Sequence, residues 1–574
     1  MKTNSKMKRI LYAATAAVCM ALATVSCANL DLDPPADASS ETWYSSPEEF
    51  EMACNDLYRL DLWWWECQRA FHTDRWTDDW DQHGHGYEWN TGALVPTTAY
   101  VKQTWLRTYK GITRCNALVR NVAEMRGHIS DRLLDQYEGE ARFFRACFYS
   151  YLIFLYGDVP YYQDYITIEE AYAMGRTPKD EILQKIYEDF DIAAEKLPAE
   201  NNGLIRVVSA TAYAFKARTA TWMLDYATAA KAAKDCMDTK TYSLDPDFRR
   251  MFLMSTNASK EFVFVIARSR ELHNDVISYS SFLPRNNKGT ALAHPSLELF
   301  SSFLCTDGLP IDKSPLFDPA EPFKNRDPRL AETCVEFGSE FLGFVWDPAS
   351  AKVTNLSTGK QVTNNDSQLG NASASWNGLI LKKGMDEDLL TDRKGDFNQI
   401  VMRYADVLLM YAEAKIELGE IDGSVLDAIN DVRARAYRTT RENTADYPAV
   451  TTADRDELRF QLRMERRMEL AWENRRWFDL MRWRLCDTAI NRPVIDLPAK
   501  SGLQRNIRSG DYYYPKGVLP VIESSGLVDL SPLLESGKFR KTMERTFDPA
   551  KGYLLPLPLE DVSLIPGMTQ NPGY

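Results

Sequence analysis

The chain has 574 residues, of which 45% are hydrophobic and 12% aromatic, and a formal net charge of −13 at pH 7. That length accommodates one large domain or two or three ordinary ones, with apolar residues enough for a substantial core. The acidic balance argues against nucleic acid or an anionic membrane surface as partner, since both call for a basic patch.

Residues 1–26 read as a secretory leader. Lys2, Lys6, Lys8 and Arg9 precede an apolar run from Ile10 to Ala23, and Thr24-Val25-Ser26 lead to Cys27. Basic, apolar and small in that order make a signal peptide. The run falls short of the roughly 20 apolar residues that span a bilayer. A Cys directly after the small residue has the pattern of a bacterial lipobox, which makes Cys27 the lipidated first residue of the mature chain and residues 27–40 a tether. The alternative is plain cleavage near Ala23 or Ala28. No later run is apolar enough to cross a membrane.

Residues 74–90 read DRWTDDWDQHGHGYEWN, indoles among carboxylates with almost nothing aliphatic between them. A cation site would draw on Asp74, Asp78, Asp79, Asp81, His83 and His85. The spacing is not that of an EF-hand loop, and His-Gly-His lacks a defined third ligand, so no cofactor is expected; a structural ion here would be calcium rather than zinc. A glycosidase needs two carboxylates about 5 to 10 Å apart, one with a raised pKa. A saccharide platform fits the composition better: flat rings cover the apolar face of a pyranose while carboxylates and amides take its hydroxyls. On that reading Trp76 and Trp80 are stacking residues, with Asp79 and Asp81 on the rim. Covering about 60 Å² of sugar against an indole contributes roughly 1.5 kcal/mol, so two or three such contacts give micromolar to millimolar binding. Trp63-Trp64-Trp65 should split between core and surface, because three consecutive residues cannot all face inward on a helix. Trp89 is expected to pack.

Helices follow. YKGITRCNALVRNVAEM places Ile112, Cys115, Leu118, Val119 and Val122 at helical spacing. LLDQYEGEARFFRACFYSYLIFLYG stops at Gly157 with Pro160 beyond it, the signal of a helix end. EILQKIYEDFDIAAEKL runs to Pro198, and from Ser209 two Ala-rich helices meet near Asp225-Tyr226. Between about 240 and 400 the composition turns to Asn, Ser, Thr and Gly around one short strand in EFVFVIARS. Long irregular insertions on a scaffold are where binding tends to reside, and from this stretch Tyr279, Trp346, Trp376 and the rim amide of Asn377 join the candidates. RYADVLLMYAEAKIELG and DELRFQLRMERRMELAWENRRWFDLMRW are each expected to be one helix. The second carries Leu462, Glu465, Arg466, Glu469, Trp472 and Glu473 on one face. With an Arg close to each Glu, interhelical pairing that depresses the carboxylate pKa is expected rather than acid–base chemistry. The eight cysteines after the leader show no CxxC or metal spacing and most fall in helical patterns, so they are expected free and buried.

ARFFRACFYSYLIFLYGDVPYY at 141–162, NRDPRL at 325–330, RYADVLLMYAEA at 403–414, ERRMELAWENRRWFDLMRW at 465–483 and the terminal YLLPLPLEDVSLIPGMTQNPGY, in this order behind a lipobox, resemble a SusD-like protein of the RagB/SusD family. The resemblance covers nearly the whole mature chain. Ile565-Pro566-Gly567 departs from the commoner Asn-Pro-Asn, and the loops facing the ligand match no particular member. The resemblance implies a mainly α fold in which tetratricopeptide-like helix pairs support a loop-rich ligand-binding portion with few short strands. Its parts would be an N-terminal helical region at 41–240, a loop-rich ligand-binding insertion at 241–400 and a C-terminal helical region at 401–574. It further implies a non-catalytic, lipid-anchored protein of the cell outer membrane facing outward, which binds oligosaccharide and delivers it to a SusC-like TonB-dependent transporter. Asp31 and Asp33 resemble the acidic surface-export signal of Bacteroidetes lipoproteins. The alternatives are a peptide-binding member of the family, a scaffold of the transporter complex and, from another class, a hydrolase.

Overall fold

The computed structural model describes residues 43–67, 71–82, 86–200, 205–256, 258–272, 277–367, 371, 373–497, 514–515 and 517–574. The leader, Cys27, the tether, His83 and His85 lie outside them. Contacts divide the chain into a short unit up to Met52 and a body from Ala53 to Tyr574. In the first, Ser45 donates from its backbone N–H and its hydroxyl to Glu49, at 2.6 and 3.0 Å.

The body is a stack of helix pairs. Its main helices are α1 (Ala99–Glu124), α2 (Asp131–Tyr156), α3 (Lys179–Lys196), α4 (Ser209–Trp222) and α5 (Tyr226–Asp238). Each packs on the next. Helix α2 ends where expected, at Gly157 with φ 75°, a conformation a Cβ would disfavour. The two Ala-rich helices pack on one another, and Ala212, Ala217, Ala229 and Ala233 are fully buried. Helix α5 then packs on α6 (Tyr404–Leu418), which packs on α7 (Gly423–Ala436) and α8 (Arg455–Glu469). The stack thus resumes after the whole middle region, which packs on it through Met464, Met468 and Trp472.

Strands are few and short. In the order of the chain, those that matter below are β1 (Trp80–Gln82), β2 (Phe262–Ile266), β3 (Ala293–Pro295), β4 (Gln399–Arg403), β5 (Val494–Asp496) and β6 (Arg540–Met543). They pair antiparallel as β1–β3, β2–β4 and β5–β6. A small four-stranded antiparallel sheet lies within residues 340–363. Beneath these pieces a continuous aromatic and aliphatic core joins Trp80, Phe282, Phe300, Trp346, Leu381 and Trp472. All eight cysteines from Cys54 to Cys486 are free and buried, as expected. Among the described residues no helix is long and apolar enough to cross a membrane.

The last long helix departs from expectation. It breaks after Glu469 and resumes as α9 (Arg476–Arg482). Trp472 and Asn474 sit between with φ of 58° and 63°, in the left-handed region. The break has a purpose that its own segment does not reveal. Asn474 turns to accept the Thr73 N–H at 2.8 Å and to donate its own N–H to Asp74, tying the C-terminal helices to the N-terminal segment. Such a reversal costs about 1–3 kcal/mol per residue held there, and packing has to offset it.

Charges, not only apolar groups, fill the space around α8. Glu465 bonds Arg329 and Arg433 at 2.6 and 2.8 Å, and Glu469 bonds Arg329, Arg403 and Arg435. Burial alone would raise the Glu469 carboxyl, but Arg435, Arg403 and Arg329 draw it well below the usual carboxylate range. Glu473 is lowered likewise, burial being outweighed by Arg403 and Lys383. The pairing expected for this face is therefore what the structure shows. Glu469→Gln would leave three buried guanidiniums short of one countercharge. It should cost about 3–5 kcal/mol in urea unfolding, whereas a loss below about 1 kcal/mol would mean the network is solvated and dispensable.

Candidate functional site

The segment DRWTDDW is a latch in the core, which corrects the exposed platform expected of it. Trp76 is buried among Trp65, Tyr100 and Trp477, with ring centres 5.1 to 5.7 Å apart. Its helical turn, Asp74–Trp76, hands the chain to β1, where side chains alternate. Trp80 therefore points one way and stacks on Trp472 at 4.7 Å and 17°, while Asp81 points the other. Asp78 takes a two-point contact from Arg476 at 2.9 and 2.8 Å, and Asp79 accepts from Arg467 at 2.8 Å. Both carboxylates are buried and already hold their cations, so neither can serve a ligand hydroxyl. As expected, Trp63 and Trp65 are buried, Trp64 is half-buried under the Arg107 guanidinium at 4.1 Å, and Trp89 is packed.

The candidates from the middle region divide. Tyr279 is buried against Phe71, Phe282 and Phe397 and borders a cavity of about 70 Å³. That is room for a few waters and far below the roughly 300 Å³ of a small-molecule site. Trp346 is buried in the core beneath the small sheet, its backbone N–H donating to the Ser339 carbonyl at 2.8 Å. For both, the exposure expected from an irregular, polar stretch is corrected: each belongs to the continuous core, and Tyr279 meets Phe71 and Phe397 from far away in the chain.

Trp376, Asn377 and Asp81 do come together. Trp376 is half-exposed, with the Arg540 guanidinium of β6 4.9 Å from its ring centre. Next to it, Asn377 turns inward and is fully buried, correcting its expected place on a rim. It donates to Asp81 at 3.2 Å and to the Pro295 carbonyl at 2.9 Å, and it accepts from the Ser375 hydroxyl and the Leu379 N–H. These bonds hold the loop that presents the indole. Below lies a polar nest from four strand pieces. Asp81 of β1 stands 3.1 Å from His294 of β3 and bonds Asp496 of β5, which accepts from Thr542 of β6 at 2.5 Å.

Electrostatics in this nest follow from burial. The Asp81 carboxyl is pushed up to about 6, by burial first and despite its bond to Asp496. Asp496 is raised further, by burial and then by Asp81. Burial lowers the His294 imidazole to about 4. The two carboxyls thus share a proton beside a neutral imidazole. A raised pKa resembles that of a general acid, but hydrogen-bonded carboxyls buried together leave no room for a glycosidic bond between them. Sequence reasoning missed Arg540, His294 and Asp496, and no local signal marks them: His294 is placed by strand pairing with Asp81 more than two hundred residues away, and Asp496 and Arg540 by pairing with each other across about forty.

Two outcomes follow. Trp76→Ala should destabilise the fold by about 3–5 kcal/mol and Trp376→Ala by less than about 1 kcal/mol, read by denaturant unfolding; equal losses would put Trp376 in the core. Asp81 has a folded pKa above its unfolded one, so its stabilisation is complete below about pH 4 and fades as pH rises through about 6. The stability advantage of the natural chain over Asp81→Asn should shrink between pH 4 and 7, and a constant or growing advantage would contradict the shared proton.

Comparisons with known proteins bear on this arrangement. The sequence profile described as "SusD family" matches residues 260–574, and one described as "Starch-binding associating with outer membrane" matches residues 56–220. The chain is 23% identical to a SusD-like protein P2 of Formosa agariphila, over 97% of this chain and 98% of that protein. It is 21% identical to a SusD-like protein of Bacteroides ovatus, over 84% and 83%. Among solved structures, a SusD-like carbohydrate-binding protein of Bacteroides fragilis superposes with a TM-score of 0.75 at 25% identity, covering 92% of this chain and 100% of that one. A surface glycan-binding protein A of Bacteroides fluxus superposes with a TM-score of 0.59 at 17% identity, over 92% and 100%.

Proposed function

The chain belongs to the SusD family, and from that premise we propose that it is a lipid-anchored outer-membrane protein that binds oligo- or polysaccharide. It would hand its cargo, unaltered, to a SusC-like TonB-dependent transporter. The observation that carries this reading is the likeness, over nine-tenths of the chain, to the carbohydrate-binding protein of Bacteroides fragilis. Trp376 supplies the local chemistry. Its half-exposed ring can cover a sugar face, Arg540 can reach hydroxyls at the edge, and the loop bonds through Asn377 keep the ring in place, so little ordering is lost on binding. Support for a non-catalytic role comes from the acidic residues of 74–81, which arginines and neighbouring core groups already occupy. The lipid tether at Cys27 and the surface orientation rest on the leader pattern and the outer-membrane association named in the second profile.

Support for a barrel partner comes from two short helices without a single buried residue, Ile168–Ala173 and Leu559–Leu564. They lie near one another where Gly175 meets Gly567, and they expose Ile168, Tyr172, Leu559 and Leu564 to solvent. Affinity electrophoresis of the mature chain through gels containing plant, host and microbial polysaccharides should show retardation in at least one gel, abolished by Trp376→Ala. The lipidated chain, extracted in mild detergent, should bring a TonB-dependent barrel with it. Retardation indifferent to Trp376→Ala would move the site elsewhere. No retardation together with a co-purified barrel would favour the scaffold.

A further inference from the structure

A cleft of about 560 Å³ opens where three helices end: α2 at Gly157, α4 before Met223 and α9 before Trp483. Its apolar wall is Phe154, Trp222, Met481 and Tyr553, and Trp222 is held flat against Phe478 at 4.6 Å and 3°. Its rim carries Arg176, Lys179, Arg484 and Lys551 against the single carboxylate of Asp158. That is a strongly positive mouth on a chain of net charge −13.

Cations gather at helix C-termini for a structural reason, because carbonyls are left unpaired there. Arg176 answers that need: it donates to the carbonyls of Tyr156, Asp158 and Thr569. Asp158 is likewise committed, capping the Lys179 N–H at 2.8 Å. Arg484 and Lys551 are different. Among the described residues neither makes a hydrogen bond or ion pair through its charged end; Arg484 lies over the Tyr553 ring at 4.3 Å and Lys551 is 5.7 Å from the centre of the Tyr574 ring. Lys179 has only a loose pair with Asp180 at 3.9 Å. The nearby Asp487 is taken by the Tyr553 hydroxyl at 3.2 Å, which fixes that ring.

Backbone strain coincides with this place. Leu224 and Arg484 follow their helices with φ of 62° and 56°, in the left-handed region, and neither is a glycine or asparagine. Both line the cleft, and Leu224 remains 46% exposed there. Strained backbone held by a rigid surround is concentrated at ligand sites.

We propose that this cleft binds an acidic saccharide, its carboxylate or sulfate taken by Arg484, Lys551 and Lys179 and its apolar ring face by Tyr553 and Leu224. Guanidinium and ammonium groups without protein acceptors form strong charge-assisted bonds to such anions, and an aromatic wall accepts the C–H face of the sugar. The cleft stands apart from the Trp376 face, so either can fail without the other.

Calorimetric titration of the mature chain tests this, with galacturonan oligosaccharides for the carboxylate, chondroitin sulfate oligosaccharides for the sulfate and cello-oligosaccharides as the neutral control. One or both anionic series should bind, about tenfold more weakly to Arg484→Ser and to Lys551→Ser. Lys231→Ser, at an exposed lysine of α5, should leave that affinity unchanged, and the preferred series names the anion. Arg484 is exposed and Lys551 half-buried, and neither is bonded through its charged end among the described residues, so an unaltered thermal unfolding midpoint will confirm that both variants fold. Absence of binding by both anionic series, or binding indifferent to Arg484→Ser and Lys551→Ser, would overturn the proposal.

Discussion

The C-terminal half of helix α8 is a rod of charge enclosed by protein, and the arrangement of the body depends on satisfying it. Within five residues, Glu465, Arg466, Arg467 and Glu469 reach five separate parts of the chain. Glu465 and Glu469 take Arg329, Arg403, Arg433 and Arg435; Arg466 takes Asp406 and Asp479; Arg467 takes Asp78 and Asp79. Buried ion pairs of this kind add little stability over a well-packed apolar core, because desolvation offsets the attraction. They do penalise every misalignment heavily. A helix docked one turn out of place would bury unpaired guanidiniums, and that constraint fixes α6, α7, α9 and the N-terminal latch together.

Arginine suits this role for reasons of shape. Its planar fork meets a carboxylate at two points and its flat face lies on a ring. Arg476 grips Asp78 in that way, while Arg482 grips Glu413 and also lies 4.8 Å from the centre of the Trp483 ring. Aromatic clusters and ionic pairs are therefore interleaved through the core. The acidic surplus of the sequence does not describe the interior, where opposite charges are closely matched.

Helix existence was legible, because apolar spacing, the Gly157 stop and the two Ala-rich runs each declare themselves within about 20 residues. The strand at Phe262–Ile266 was legible for the same reason. The break at Leu470–Arg475 was not, since Trp472 and Asn474 are ordinary helix residues in isolation. Their left-handed turn is imposed by Thr73, Asp74 and Asp79, some four hundred residues earlier. The candidate site suffered from the same blindness. Asp78 and Asp79 look solvated until Arg467 and Arg476 arrive, and Trp76 and Trp80 look like platforms until distant rings cover them. Local polarity reports solvent exposure only when no partner comes from elsewhere. In a chain with 68 basic and 81 acidic residues, partners are common.

That bias changes which residues carry information about ligands. Indoles and carboxylates are the groups a saccharide site uses, but here they are also the groups from which the core is built, so their abundance in a segment discriminates poorly. What discriminates is the group left over once internal bonding is complete. Trp376 is not such a remainder, since Arg540 lies over its ring; its half exposure on a loop bonded through Asn377 is what makes it a candidate. Arg484 and Lys551 qualify because helix-end carbonyls are served by Arg176 and leave these two cations with only ring faces. A rigid scaffold makes such remainders meaningful: with the surrounding bonds saturated, an open donor or ring cannot relax onto a neighbour and stays poised for whatever arrives from solvent.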